Sequence, residues 1–206
     1  MISLTVGRCS VDILPVVKGL ISETDKVRSA LAAKEYEAYA VALGVEEIEA
    51  VRMRAELPEE YEPVDLDLVY SHRLSTFGKV TLPDPSFAYL IDECGKRGLY
   101  VLPLDMNDQR FTDLYCERVK TSDFLRERGL AKRAFKARCD MSTPESFVID
   151  WDRVVNRVKG YALVSRERER YMSDQIKQTA GYRNSLLAVI EAERAQGVAD
   201  LLREVS

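Results

Sequence analysis

Residues 86–105, SFAYLIDECGKRGLYVLPLD, decide the fold class. Phe87, Leu90, Ile91 and Cys94 recur three or four apart and so share one face of a helix. Gly98 follows the last periodic turn, where helix ends favour glycine. Leu99–Leu104 is then an apolar run of strand length, and Asp105 opens a polar loop. A helix feeding directly into a buried strand is half of a parallel α/β repeat.

Three further runs, Ile2–Val6, Ala38–Leu43 and Leu186–Ile190, read as strands of the same parallel sheet. Between the first two, Asp12 is placed as an N-cap, with Ile13, Val16, Val17, Leu20 and Ile21 on one helical face. A turn of helix around Lys26–Ala33 follows. Leu66, Val69, Tyr70, Leu74 and Phe77 predict a helix over 65–78, closed by Gly78. The span Phe111–Lys159 is helical throughout. Within it, Ser142-Thr143-Pro144-Glu145 starts a helix that carries Phe147, Trp151 and Val154 and ends at Gly160. A helix over Ser165–Gln178 precedes the last strand, and Val198, Leu201 and Leu202 mark a C-terminal helix. The expectation is one α/β domain over 1–206. Its mainly parallel sheet is flanked by helices, with a helical insertion at about 111–159 before the last strand.

The totals exclude several functions. A net charge of -4 lacks the basic excess that phosphate-backbone binding needs, so no nucleic-acid partner is expected. The basic stretch Arg126–Arg138 is the local exception. Four scattered cysteines without a CxxC pair, and His72 alone, leave no Cys/His zinc site; no metal or cofactor is expected. The N-terminus lacks a signal peptide's basic region and no run is long enough to span a membrane, so the expectation is a soluble cytoplasmic protein. Scarce Asn and Gln beside abundant Glu and Arg lean toward a thermophilic composition.

Ligands of open parallel sheets bind beyond the carboxyl ends of the strands. The segments following the four runs are Gly7–Asp12, Gly44–Glu47, Asp105–Arg110 and Glu191–Arg194, and each carries charge. GxGxxG, GxxxxGK[ST] and GxSxG patterns are absent, so neither a phosphate loop nor a nucleophile elbow is encoded. Asp105, Asp108, Glu191 and Glu193 could hold a hard cation such as Mg²⁺, or pair with Arg8, Arg110 and Arg194. Arg168 and Met172 share the apolar face of their helix, so the Arg168 guanidinium needs carboxylate partners. It reads as an anion clamp or as an internal tether.

The order of motifs resembles the TraB family, which includes pheromone-shutdown and Tiki-type proteins. Val6-Gly7-Arg8-Cys9-Ser10-Val11-Asp12 is similar to its GTAHVS motif, and Ser86–Leu104 with Asp105 to its helix, strand and DRD loop. Glu167-Arg168-Glu169-Arg170-Tyr171-Met172 resembles its ERDRYM helix, and Ile190–Val198 its closing VGAGHVxGI segment. The resemblance implies histidines where this chain has Ser10 and Arg194, and an acid where it has Ala42. Arginine and alanine cannot take over metal ligation. A divergent member without metal-dependent hydrolysis is therefore implied, a binding or regulatory module or pseudoenzyme. Arg8, Ser10, Asp105, Arg168 and Arg194 would face a small anionic ligand. The alternative is a hydrolase using Asp105 and Glu193, with or without Mg²⁺. A homodimer through the helical insertion is a further option.

Overall fold

A computed structural model describes residues 1–54, 65–134 and 137–204. Five strands form one sheet: β1 Ile2–Val6, β2 Cys9–Val16, β3 Ala38–Val41, β4 Val101–Pro103 and β5 Ser185–Glu191. Their order is β1-β2-β5-β3-β4, with β1 antiparallel and the other pairings parallel. Every residue of β3 and all but the first of β5 are buried, as strands covered on both faces must be. The α/β architecture read from residues 86–105 is present.

Two readings near the N-terminus are corrected. Ile2–Val6 is not a buried parallel strand but an antiparallel edge strand. Ser3 and Thr5 alternate outward between Ile2, Leu4 and Val6, the pattern of a half-buried strand. The helix expected from Asp12 to Ile21 is strand β2 as far as Val16, and Ile21 opens a short 3-10 turn, Ile21–Glu23. Gly7 and Arg8 make the two-residue turn between β1 and β2, and Gly7 takes the positive φ (+59°) that such hairpin turns require at their first central position. Asp12 caps nothing. It is buried within β2 and accepts hydrogen bonds from Ser3 Oγ at 2.5 Å, Lys34 Nζ at 2.8 Å and Tyr36 OH at 2.9 Å.

The helices are α1 Thr24–Ala33, α2 Val45–Met53, α3 Asp65–Leu74, α4 Pro85–Lys96, α5 Asp108–Arg118, α6 Thr121–Ala134, α7 Pro144–Val155, α8 Lys159–Ala180 and α9 Ala192–Arg203. Asp84 caps α4 by accepting from the Ser86 and Phe87 N–H groups, with Pro85 in the first turn. Thr143 caps α7 the same way, through Ser146 N at 3.1 Å. That helix stops at Val155 rather than Gly160, which lies in the first turn of α8. The expected insertion is real: α5 to α8 lie between β4 and β5, although Phe135 and Lys136 fall outside the described residues.

α1 pairs with α4, and α8 with α9, to cover the sheet. One core follows the strands and these helices, with Phe87, Ile13, Met172, Ile176, Leu186 and Leu187 fully buried. A second core is built by the insertion and α3, from Leu66, Leu74, Phe147, Trp151 and Val154. It also takes in Val17 after β2 and Ala192 after β5. The insertion thus packs over the carboxyl end of the sheet, and the polar groups there lie between two apolar bodies. Among the described residues no helix is long and apolar enough to cross a membrane.

Candidate functional site

The carboxyl ends of β2, β3, β4 and β5 deliver Lys18, Gly44, Asp105 and Glu191 to one rim. Asp105 and Glu191 are 7% and 4% exposed. Arg168 reaches them from α8: its Nε donates to Asp105 Oδ2 at 2.8 Å, and Nη2 donates to the same oxygen and, at 3.3 Å, to Glu191 Oε1. Burial alone would lower the Arg168 pKa, but Glu191 and Asp105 carry it upward. Asp105 is fixed in turn by the Met106 N–H, donated to Oδ1 at 2.8 Å. Arg168 therefore joins α8 to the ends of β4 and β5, as the tether reading expects.

Arg194 forms a second such centre. Its guanidinium donates to Asp152 of α7 and, at 3.3 Å, to Glu169 Oε1 of α8. Gly197, one turn along α9, makes room for this contact; a Cβ there would meet Glu169 Oε2 at 2.5 Å. Burial pushes the pKa values of Asp152 and Glu169 upward, against the pull of Arg194. Both arginines are spent on protein carboxylates.

Glu193 is different. It is partly buried, yet its Oε2 is sealed from solvent and meets no donor among the described residues; Glu191 Oε2 is in the same condition. Burial first, then the neighbouring Glu191, pushes the Glu193 carboxyl up to about 7. Tyr70 completes this corner, with its hydroxyl donating to the Lys18 carbonyl at 3.1 Å and its ring stacked on Phe147. Burial, with Glu193, Asp84 and Glu191 around it, drives the phenol's pKa upward.

Arg8 and Ser10 lie elsewhere. Ser10 pairs with Ser185 at the start of β5, whereas Glu191 ends that strand. Six strand steps, roughly 20 Å, therefore separate Ser10 from the rim. The first motif of the family resemblance thus sits at the amino end of the sheet, with Arg8 in the hairpin turn. Asp105, Arg168, Glu193 and Arg194 are brought to the rim. The cause is the misread β2: treating Gly7–Asp12 as a loop after a parallel strand put it at the wrong end.

The same correction exposes what was missed. Beyond β2 comes Val17-Lys18-Gly19, held to the rim by Asp84, which accepts the Gly19 N–H at 2.6 Å. Val17 N–H donates to Glu23 Oε2 at 2.9 Å. Lys18 lines a cavity of about 380 Å³ with Glu47, Asp84 and Arg54 among apolar walls that include Leu43, Val51 and Phe87. Arg54 is paired with Asp92. Glu47 accepts the Gly44 N–H at 2.8 Å, and Asp84 accepts three backbone N–H groups. Burial raises the pKa of each acid, partly offset by those bonds and by Lys18. Lys18 itself makes no ion pair with any described residue. Gly44 is needed at the cavity's rim because a Cβ there would collide with the Met106 carbonyl oxygen.

No family model, curated protein or solved structure matches this chain. The TraB likeness rests on the quoted motifs alone. Among the described residues no three His, Cys, Asp or Glu side chains are arranged to hold a metal ion, since the arginines occupy most of the rim carboxylates. Cys9 is buried in β2, and burial raises its thiol pKa, opposite to what a nucleophile needs. His72 is exposed on α3, away from the rim.

Proposed function

We propose that this chain is a ligand-binding module, TraB-like in its motif order, that takes up a small anionic ligand with an apolar body at the carboxyl-end rim. The observation that carries the reading is Lys18. It is a rim cation without an ion pair among the described residues, on the wall of a mainly apolar cavity. Cavities of this kind, apolar with a few convergent polar groups, are the usual form of small-molecule sites. Arg168 and Arg194 are paired with protein carboxylates and do not line this cavity. Arg8 and Ser10 play no part at this end of the sheet. Calorimetric titration with octanoate and with octanol tests the reading. Octanoate should bind about tenfold tighter, a difference of about 1.4 kcal/mol for the charged head group. Equal affinities, or no binding of either, would count against it.

A second reading is acid–base hydrolysis by Glu193, favoured by its place at the rim and its pKa of about 7. It predicts cleavage of p-nitrophenyl octanoate with an inflection near pH 7 that Glu193→Gln removes. Absence of turnover above the Glu193→Gln background eliminates it.

A further inference from the structure

A second, chemically distinct cavity lies within the helical insertion, where the end of α5 meets the starts of α6 and α8. Its volume is about 380 Å³, and its lining is polar and mostly cationic: Arg118, Lys120, Arg126 and Lys159, against Glu117 and Asp123. The acids are already committed. Glu117 lies 3.4 Å from Arg118, and Asp123 lies 3.4 Å from Arg126 while also accepting the Lys120 N–H at 3.1 Å. Lys120 and Lys159 make no ion pair with any described residue. The pocket therefore carries uncompensated positive charge in a chain whose net charge is -4.

Two further observations point the same way. The Arg118 Nε–H is buried and finds no acceptor among the described residues, so the site is short of acceptors. The 22-residue α8 opens onto the pocket at Lys159–Gly160, with no side-chain cap at Val158 and no acid in its first turn. The positive end of its dipole lies at the pocket, where the Asp123 carboxylate sits against Gly160. Two unpaired lysines and two arginines at one cavity, beside the positive end of a helix, form the chemistry that recognises phosphate.

We infer that this pocket binds a small phosphate-bearing anion, at a site separate from the Lys18 cavity. Neither depends on the other: the two cavities share no lining residue. The shared chemistry is the diphosphate group, either free or carried on a nucleoside.

The experiment is calorimetry on the full chain with pyrophosphate and with ADP, at low ionic strength and without divalent cations. Binding of either supports the inference, and the tighter of the two identifies whether the group is taken up free or nucleoside-borne. Lys159→Gln and Lys120→Gln should each weaken binding about tenfold and together abolish it, whereas Lys18→Met should leave it unchanged. Both lysines are exposed, so the variants should melt like the parent protein. No binding of either probe at millimolar concentration, or unchanged affinity in the double variant, would overturn the inference.

Discussion

Glu193→Gln separates a charged from a permanently neutral side chain at the one rim acid whose carboxyl is pushed up to about 7. An unfolded glutamate ionises near 4.5, so the two states differ by about 2.5 units, worth about 3 kcal/mol when fully developed. The sign is set by the raised folded value. Below pH 4.5 both states hold the proton and nothing is lost. Between 4.5 and 7 the unfolded chain gives it up while the folded chain keeps it, so stability falls as pH rises. Above 7 the loss is complete. The glutamine variant lacks this slope. Urea unfolding at pH 5 and pH 8 should show the variant gaining about 2.5 kcal/mol on the parent protein across that interval. Glu47, Asp84, Asp152 and Glu169 tilt the curve the same way, and Asp12, Glu37 and Glu145 the opposite way, but all act in both proteins. Stability curves that stay parallel to within about 0.5 kcal/mol would refute the reasoning.

Arg168→Met should destabilise the fold by about 3 kcal/mol, because it leaves Asp105 and Glu191 buried without their cation; thermal melting should drop by about 6–12 °C. Gly44→Ala should cost about 1–3 kcal/mol in urea unfolding, since the new methyl meets the Met106 backbone carbonyl and no side-chain rotation relieves the contact. Arg8→Met, at the hairpin turn, should change neither octanoate affinity nor stability beyond about 0.5 kcal/mol.

Much of the fold was legible because its signals were redundant. The runs Ala38–Leu43 and Leu186–Ile190 are covered on both faces, so their residues need not alternate, whereas Leu99–Leu104 ends in an edge strand with Leu99 and Tyr100 exposed. Thr143-Pro144 combines a cap with a proline in the first turn. β2 failed for the opposite reason. Ile13, Val16, Val17, Leu20 and Ile21 fit a helical face, and the buried Asp12 imitates an N-cap. The signal that could have settled it was the hairpin: Gly7-Arg8 between an alternating Ile2–Val6 and a β-branched run. That single error carried Arg8 and Ser10 into the site and kept Lys18 out. Arg168 was legible from its place on an apolar helix face. The division of its partners was not, because Asp105 and Glu191 are 63 and 23 residues away in the chain and meet it only through the sheet. Glu193 was found as an acid at the rim, but its sealed oxygen depends on how the insertion packs over that end.

The most direct test of the central claim is titration of Lys18→Met with octanoate and octanol. The account predicts that octanoate loses its roughly tenfold advantage while octanol affinity stays as in the parent protein. An undiminished preference for octanoate in Lys18→Met would contradict it.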